Sequence, residues 1–591
     1  RMHHSLVELP DDGYSPRIFD PRSGYYPLTY QDYATPIDQP LIKRFITRHR
    51  LKKKNPNAAR SEAVDPIIYY LDRGAPEPIK SALIEGAAWW NEAFEAAGFI
   101  NAFQVKELPE DADPMDVRYN MINWVHRSTR GWSYGSSVTD PRTGEIIKGH
   151  VLLGSLRVRQ DFLIAQGLVE AYADGKNADL RLLEMALARL RQLSAHEVGH
   201  TIGLTHNFAA SYNDRASVMD YPHPYITLKP DGTLDFSKAY DTGIGEWDKR
   251  TIIYGYQEFP YGADEAAELK KILKENNEMG LKFISDGDAR PPGGAHLTGH
   301  LWDNGQSAIN EMNRLMKVRK TALDKFSNKN IPEGEPMATL ENVLVPLYLA
   351  HRYQVEAVSK IIGGVEYAYA ANGDGEATNT MVNDQVQRQA LESLLKTLDP
   401  SFLALPENVI QLIPPQPIGY SRGRELFKTH TGITFDPIGA AESAANHTIQ
   451  FMLNPERLAR VVEQSARVKD RMSLSEMLNE VVEKSGVKSG QTEFEKEIAR
   501  MVQTALVHHL IKLAADRKIN QQVSATAAML LKQLPEKIPV RLNPKDAAHR
   551  GYIIDQINLY QNRPDLFKLP ELPKMPDGSP IGSEFGCSHQ Y

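Results

Sequence analysis

The sequence predicts an α+β domain, a twisted mixed sheet backed by two helices, followed by a mainly α-helical C-terminal region. Three observations predict it. Between residues 66 and 260, short runs rich in β-branched and aromatic residues alternate with stretches of helical spacing. After about residue 256 the strand signal fades, while long segments keep apolar residues at a helical repeat. Residues 1–65 carry neither pattern clearly.

Taken in order, residues 1–65 are rich in Pro, Tyr, Asp and Arg, as in Ser15-Pro16-Arg17-Ile18-Phe19-Asp20-Pro21-Arg22, and read as an extended arm ending a preceding domain. The basic run Arg48-His49-Arg50-Leu51-Lys52-Lys53-Lys54 reads as a solvated linker. The α+β domain is assigned to residues 66–260. Ile67-Ile68-Tyr69-Tyr70-Leu71 is a buried strand. Leu83, Ala87, Trp90, Ala93 and Phe94 predict one helix over 76–97, closed by Gly98. A second strand covers 117–125, Asp140-Pro141-Arg142-Thr143-Gly144 is a turn, and a third strand covers 145–153. A long helix over 179–202 completes the domain. In 261–591 helical periodicity marks 307–326, 340–362, 384–398, 455–469 and 493–515, with proline and glycine breaks at 290–294 and 413–415. This helical region forms one part or two, without a repeat of fixed solenoid period.

The 591 residues suffice for two to four domains of about 100–200 residues each. Hydrophobic content of 41% and charged content of 24% are those of a soluble globular chain. A net charge of -7 without a broad basic surface argues against a nucleic-acid partner. The single cysteine, Cys587, excludes an intrachain disulfide and a cysteine metal site, and is given no function. No apolar run reaches the ~20 residues that a membrane span needs, and the best, over 343–350, is interrupted by Pro346. No signal peptide is visible; Arg1 in the first position suits a mature or excised piece of a longer chain, its targeting signal removed.

The chemistry concentrates in His196-Glu197-Val198-Gly199-His200-Thr201-Ile202-Gly203-Leu204-Thr205-His206. Four residues apart on a helix means one face, so His196 and His200 can bind one metal ion together. Gly203 can take the positive φ that ends the helix and returns the chain, bringing His206 to the same ion. Three neutral imidazoles with an open fourth position describe a catalytic zinc site. Glu197 follows the first ligand and is the candidate general base and acid. Asn207 either braces the backbone or simply ends the turn.

Met219 stands thirteen residues beyond His206, in Ser217-Val218-Met219-Asp220-Tyr221-Pro222. The stretch resembles the Met-turn of metzincins, whose methionine floors the three imidazoles. Tyr221 matches a tyrosine that some of those families hold near the metal, as a fifth ligand or as a donor to the tetrahedral oxyanion; its other reading is a core tyrosine. Upstream, Gly149, His150, Val151 and Leu152 are candidate substrate-binding residues, if the 145–153 strand is an edge strand that takes up an extended peptide. The alternative is a paired interior strand. Asp286-Gly287-Asp288 and Asn372-Gly373-Asp374-Gly375 hint at calcium turns but read better as solvated turns. His508-His509 points its two imidazoles in different directions along a helix, and Asn446-His447-Thr448 is a formal glycosylation sequon.

Beyond the motif, Tyr69-Tyr70-Leu71-Asp72-Arg73-Gly74, Trp89-Trp90-Asn91-Glu92-Ala93-Phe94-Glu95, residues 140–145 and Gly245-Glu246-Trp247-Asp248 resemble the large bacterial zinc-dependent metallopeptidases of the Met-zincin group. The resemblance implies an α+β metzincin-like catalytic domain, one catalytic Zn2+ on His196, His200 and His206, and a protein or peptide substrate. It also implies an exported protein of the periplasm, outer-membrane surface or extracellular space of a Gram-negative bacterium. The expected function is a zinc metalloendopeptidase with Glu197 as general base and acid and Tyr221 assisting. A catalytically silent zinc-fold scaffold and a zinc amidohydrolase acting on a non-peptide amide are the alternatives.

Overall fold

The computed structural model describes residues 4–127, 133–537, 543–564 and 566–576, so Cys587 lies outside the described residues. The arm opens with an antiparallel hairpin of β1 (Pro27–Gln31) and β2 (Ile42–Ile46). Next come β3 (Arg48–His49), β4 (Ser61–Glu62), β5 (Ile67–Leu71), α1 (Ile79–Ala88), α2 (Trp90–Ala96), β6 (Phe99–Ile100), β7 (Phe103–Glu107) and β8 (Asn120–Val125). After these follow β9 (Tyr134–Thr139), β10 (Glu145–Gly154), α3 (Leu156–Leu168), α4 (Leu180–Thr201) and α5 (Glu246–Tyr256). The main sheet runs β3-β10-β8-β5-β7, all parallel, with β9 added antiparallel on β10. The mixed α+β architecture expected of the sequence is therefore present.

The strand at 145–153 is not an edge strand. β10 pairs on one side with β9, from Tyr134 to Thr139, and on the other with β8 and β3. None of its ten residues is exposed, Glu145, Lys148 and His150 included, as suits a strand covered on both faces. The edge is β9, a polar Tyr-Gly-Ser-Ser-Val-Thr strand whose small residues carry no strand signal that sequence reading detects.

The arm also enters the domain. β3 lies inside the basic run and pairs with Glu145 and Ile146, and Arg48 and Lys53 are buried. The Arg48 guanidinium donates to the Ser15 carbonyl at 3.0 Å and covers the Tyr14 ring, while Lys53 Nζ donates to the carbonyls of Ala58 and Ala59. Carbonyl partners for the heads and packing for the apolar stems make burial tolerable, so this run is no solvated linker.

The helix expected over 76–97 is two, turning at Trp89, and α3 was not foreseen. α1 packs so closely on α4 that a Cβ at Gly86 would overlap the Arg191 backbone carbonyl. Beyond α5 the chain is helical: α6 (Glu265–Glu278), α7 (Asp286–Ala289), α8 (Ala308–Asp324), α9 (Leu340–Tyr348), α10 (Arg352–Ile361) and α11 (Asp384–Thr397). Longer helices at Pro437–Met452, Pro455–Arg467, Leu474–Lys484, Glu493–Ala515, Gln521–Lys537 and Pro544–Asn562 follow. The segment 340–362 is thus α9 and α10, separated by a break at 349–351. Among the described residues, no helix is long and apolar enough to cross a membrane.

Two large cores result. One lies between the sheet and α1, α2, α4 and α5, around Tyr69, Leu83, Trp90, Phe94, Leu190 and Val198. The other joins the helical region to α3 and the first turns of α4, through Leu168, Leu182, Met185, Leu344, Leu347 and Val358. A small third cluster of Phe208, Tyr221, Ile284, Ala289, Trp302 and Tyr353 packs segments that follow α4 against one another and against α10. α4 is therefore held from both sides.

Candidate metal centre

α4 starts at the N-cap Asp179, whose carboxylate accepts from the Arg181 backbone at 2.9 Å. Its rotation about its own axis is set by two buried bonds to other helices. The Ser194 hydroxyl donates to Leu83 O, and the Trp90 indole donates to Ala195 O, each at 2.7 Å. That rotation puts His196 and His200 on the face beneath β9. Gly199 between them is required by packing, since a Cβ there would overlap the Met219 sulfur and crowd the Trp90 ring.

The helix closes in a Schellman turn: Leu204 N donates to Gly199 O at 3.0 Å and Gly203 N to His200 O at 3.2 Å. Gly203 has φ 107°, and any side chain there would overlap the Thr47 carbonyl. The arm braces the returning loop, as Thr205 N donates to Gly24 O at 2.8 Å and Tyr26 N to Gly203 O at 2.9 Å. His206 thereby meets the helical pair.

One ligand nitrogen from each of His196, His200 and His206 lies within 4.8 Å of the others, all three residues being buried. Each Nδ1 faces an obligate acceptor: Val218 O at 2.7 Å, Leu204 O at 2.8 Å and the Asp286 carboxylate at 2.9 Å. Nδ1 therefore carries the proton and Nε2 presents its lone pair. Nε2 of His200 and of His206 stand 3.2 Å apart, and Nε2 of His196 is buried without a hydrogen-bond partner. Burial, with His206 adding to it, holds His196 well below the ordinary imidazole pKa; burial lowers His206 too, against the pull of Asp286. Neutral imidazoles with converging lone pairs and fixed outer partners are what one zinc ion requires.

Glu197 is buried beside the first ligand. β9 crosses α4 at this residue, so closely that a Cβ at Gly135 would overlap the Glu197 carbonyl. Met219 lies under the helix against Gly199. Its turn is clamped by Asp248, which accepts from Ser217 Oγ at 2.6 Å, Val218 N at 2.8 Å and Gly245 N at 3.0 Å. Burial pushes Asp248 up to about 7 against those three donors.

The Met-zincin family model matches residues 179–487, more than half of the 591-residue chain. The chain belongs to the Met-zincin family. The match begins at the N-cap of α4, includes all three ligands and the Met219 turn, and continues past residue 260 through most of the helical region. A domain of unknown function, DUF5117, matches residues 1–54. The strands β4 to β10 lie between the two matches. No curated protein and no solved structure matches.

In this Met-zincin the tyrosine is at the metal centre. The Tyr221 ring lies 4.9 Å from that of His206 and 5.4 Å from that of His196, and it stacks on Trp302 at 4.7 Å. Its hydroxyl accepts from Arg290 Nη2 at 2.8 Å. Asn207 braces the loop: its backbone N–H donates to Met219 O, its side-chain carbonyl accepts from Ala209 and Ile284, and its amide donates to Lys282 O.

Sequence reasoning missed Asp286, Arg290 and Trp302. The expected solvated turn at 286–288 is a wall of the site. Asp286 takes one hydrogen bond from His206 and an ion pair from Arg290, and Asp288 accepts from the hydroxyls of Tyr367 and Tyr369. His206 and Arg290, aided by charge and hydrogen bonding, overcome the effect of burial and hold the Asp286 carboxyl below the usual range. The one local signal was three charged residues packed between Ser285 and Pro291.

Other candidates are not brought to the metal. Gly149 faces Tyr69 and Thr201 without room for a side chain, and Val151 is buried, while His150 and Leu152 alternate to the opposite face of the sheet. Burial and Lys148 lower the pKa of His150. His508 and His509 are buried in the helix Glu493–Ala515, and the three ligand histidines are the only metal-binding group among the described residues. Asn446 is buried in Pro437–Met452, which removes the sequon from use, and Asp374 pairs with Arg22 at 2.6 Å.

Proposed function

We propose that this Met-zincin is a zinc-dependent metalloendopeptidase. The observation that carries the reading is the convergence of the three imidazole lone pairs beside Glu197, above the Met219 turn. Zinc held by His196, His200 and His206 would supply Lewis acidity and make the attacking water more acidic. Glu197 accepts the proton of the attacking water and delivers it to the leaving amine, so one residue serves as base and then as acid. Tyr221 donates to the oxygen of the carbonyl under attack. An extended substrate adds to β9, which among the described residues pairs on one side only and crosses α4 at Glu197. Following the family resemblance, we also place the protein in the bacterial envelope or outside the cell, which fractionation with a specific antibody checks.

The test compares zinc-loaded wild type with Glu197→Gln on casein and on a peptide library. A loss of at least about 100-fold in the variant, with zinc retained, is the expected result. Equal cleavage by both proteins sinks the assignment of Glu197. Zinc retention with no cleavage by the wild type favours a silent scaffold, and turnover of non-peptide amides alone favours an amidohydrolase.

A further inference from the structure

Arg290 enters the site from the segment after α7, 69 residues beyond Tyr221 in the chain. A guanidinium offers only donors. In the 2.8 Å contact Arg290 must therefore donate and the phenol oxygen accept, which leaves the single phenol proton for an acceptor other than Arg290.

Everything around this contact restricts it. The Tyr221 ring is clamped between the Trp302 indole and the edge of His206. Trp302 itself has φ 60°, a left-handed conformation that a bulky residue adopts only when its surroundings impose it. Its N–H donates to Tyr221 O at 2.9 Å and its carbonyl accepts from Gln354 at 2.6 Å. Arg290 lies over the faces of Phe208 and Tyr221, and its Nε pairs with Asp286. The other oxygen of Asp286 holds His206.

We propose that Arg290 is a positioning residue, which presents the Tyr221 hydroxyl as a hydrogen-bond donor to the tetrahedral centre of hydrolysis and, through Asp286, locks that donor to the ligand His206. The proposal rests on the peptidase reading. The carbonyl oxygen gains negative charge as water attacks, so a donor fixed beforehand acts on the transition state more than on the bound substrate. The guanidinium charge also draws electron density from the phenol oxygen and makes its O–H a stronger donor.

The experiment uses the full zinc-loaded chain and the variants Arg290→Met, Arg290→Lys, Tyr221→Phe and the double Arg290→Met/Tyr221→Phe. Arg290→Met should lower kcat about 10- to 100-fold with KM within about twofold. It should weaken a phosphinic peptide, a tetrahedral mimic, by the same factor, and it should leave zinc content unchanged. Arg290→Lys should recover part of the loss, and the double variant should be no worse than Tyr221→Phe. Multiplying losses in the double variant, a rise in KM at constant kcat, or loss of zinc with both substitutions would overturn the proposal. If wild type and Glu197→Gln both cleave nothing, the peptidase reading fails by itself. A crystal structure of zinc-loaded Arg290→Met then decides the contact alone: a displaced hydroxyl supports it, and an unmoved one overturns it.

Discussion

Asp286 Oδ2 accepts a hydrogen bond from His206 Nδ1 at 2.9 Å, although the two residues lie 80 positions apart and on opposite sides of the expected domain boundary at 260. A carboxylate behind a ligating imidazole fixes its tautomer and orientation and raises its basicity. The third ligand is thus set by a residue from the helical region, and this has a measurable consequence.

Asp286→Ala should weaken zinc binding by about 10- to 100-fold, as measured by competition with a chromophoric chelator. Asp286→Asn, which keeps an acceptor oxygen, should weaken it less. Unchanged affinity in Asp286→Ala would show that His206 needs no carboxylate behind it.

Gly203→Ala should be one of the most damaging single-methyl additions in the chain. Gly203 combines φ 107° with no space before the Thr47 carbonyl. Backbone strain and overpacking together should cost about 3 kcal/mol. The loop carrying His206 should shift, so zinc content after dialysis should fall together with the thermal midpoint. A variant as stable and as zinc-loaded as wild type would contradict this account of the turn.

Asp248→Ala should remove the clamp of the Met219 turn. Three donors, on Ser217, Val218 and Gly245, would lose their acceptor in the interior, at about 1–3 kcal/mol each before relaxation. Asp248→Asn keeps one acceptor oxygen and, because burial already raises Asp248 to about 7, replaces a group that is partly neutral near pH 7. The Asn variant should therefore lie much closer to wild type than the Ala variant in thermal unfolding.

Acidification should destabilise the fold through buried histidines that are not ligands of the metal. Burial lowers His49 to about 4, His223 to about 3, His447 to about 4 and His509 to about 4. A depressed pKa means that the unfolded chain takes up protons near pH 6.5 while the fold does not, so stability falls as pH drops from 6.5 towards 4. For His49 alone the full shift corresponds to on the order of 3 kcal/mol. His49→Gln should show a smaller drop in thermal midpoint between pH 7 and pH 5 than wild type, and an equal drop would remove His49 from the explanation.

Zinc removal by phenanthroline should lower the thermal midpoint and be reversed by added zinc, because a ligand bound only by the fold stabilises it by mass action. The effect should nearly vanish in a His200→Ala variant. If chelation shifts both proteins alike, the stabilisation does not come from this site.

The zinc site itself was legible in the sequence because its first two ligands are neighbours on one helix and the third follows six residues later, just past the Gly203 turn. Their geometry is local, and so is that of the glycine that makes the turn. The same holds for Met219, whose turn follows closely enough in the chain to be recognised. The short strand at 67–71 and the helix α4 were legible for the same reason, each being set by its own local pattern.

What tertiary structure decided was which strand is the edge and which residues stand behind the ligands. β10 and β9 differ in what pairs beside them, and pairing is a long-range property that neither strand's residues encode. Asp286, Arg290 and Trp302 reach the site only because the helical region packs its first segment against the ligand loop. The sequence by itself determined the metal and its three ligands, since bonds between residues a turn apart follow from backbone geometry. Only the fold determined the orientation of those ligands and the presentation of Tyr221, since both depend on groups that long-range burial alone brings together.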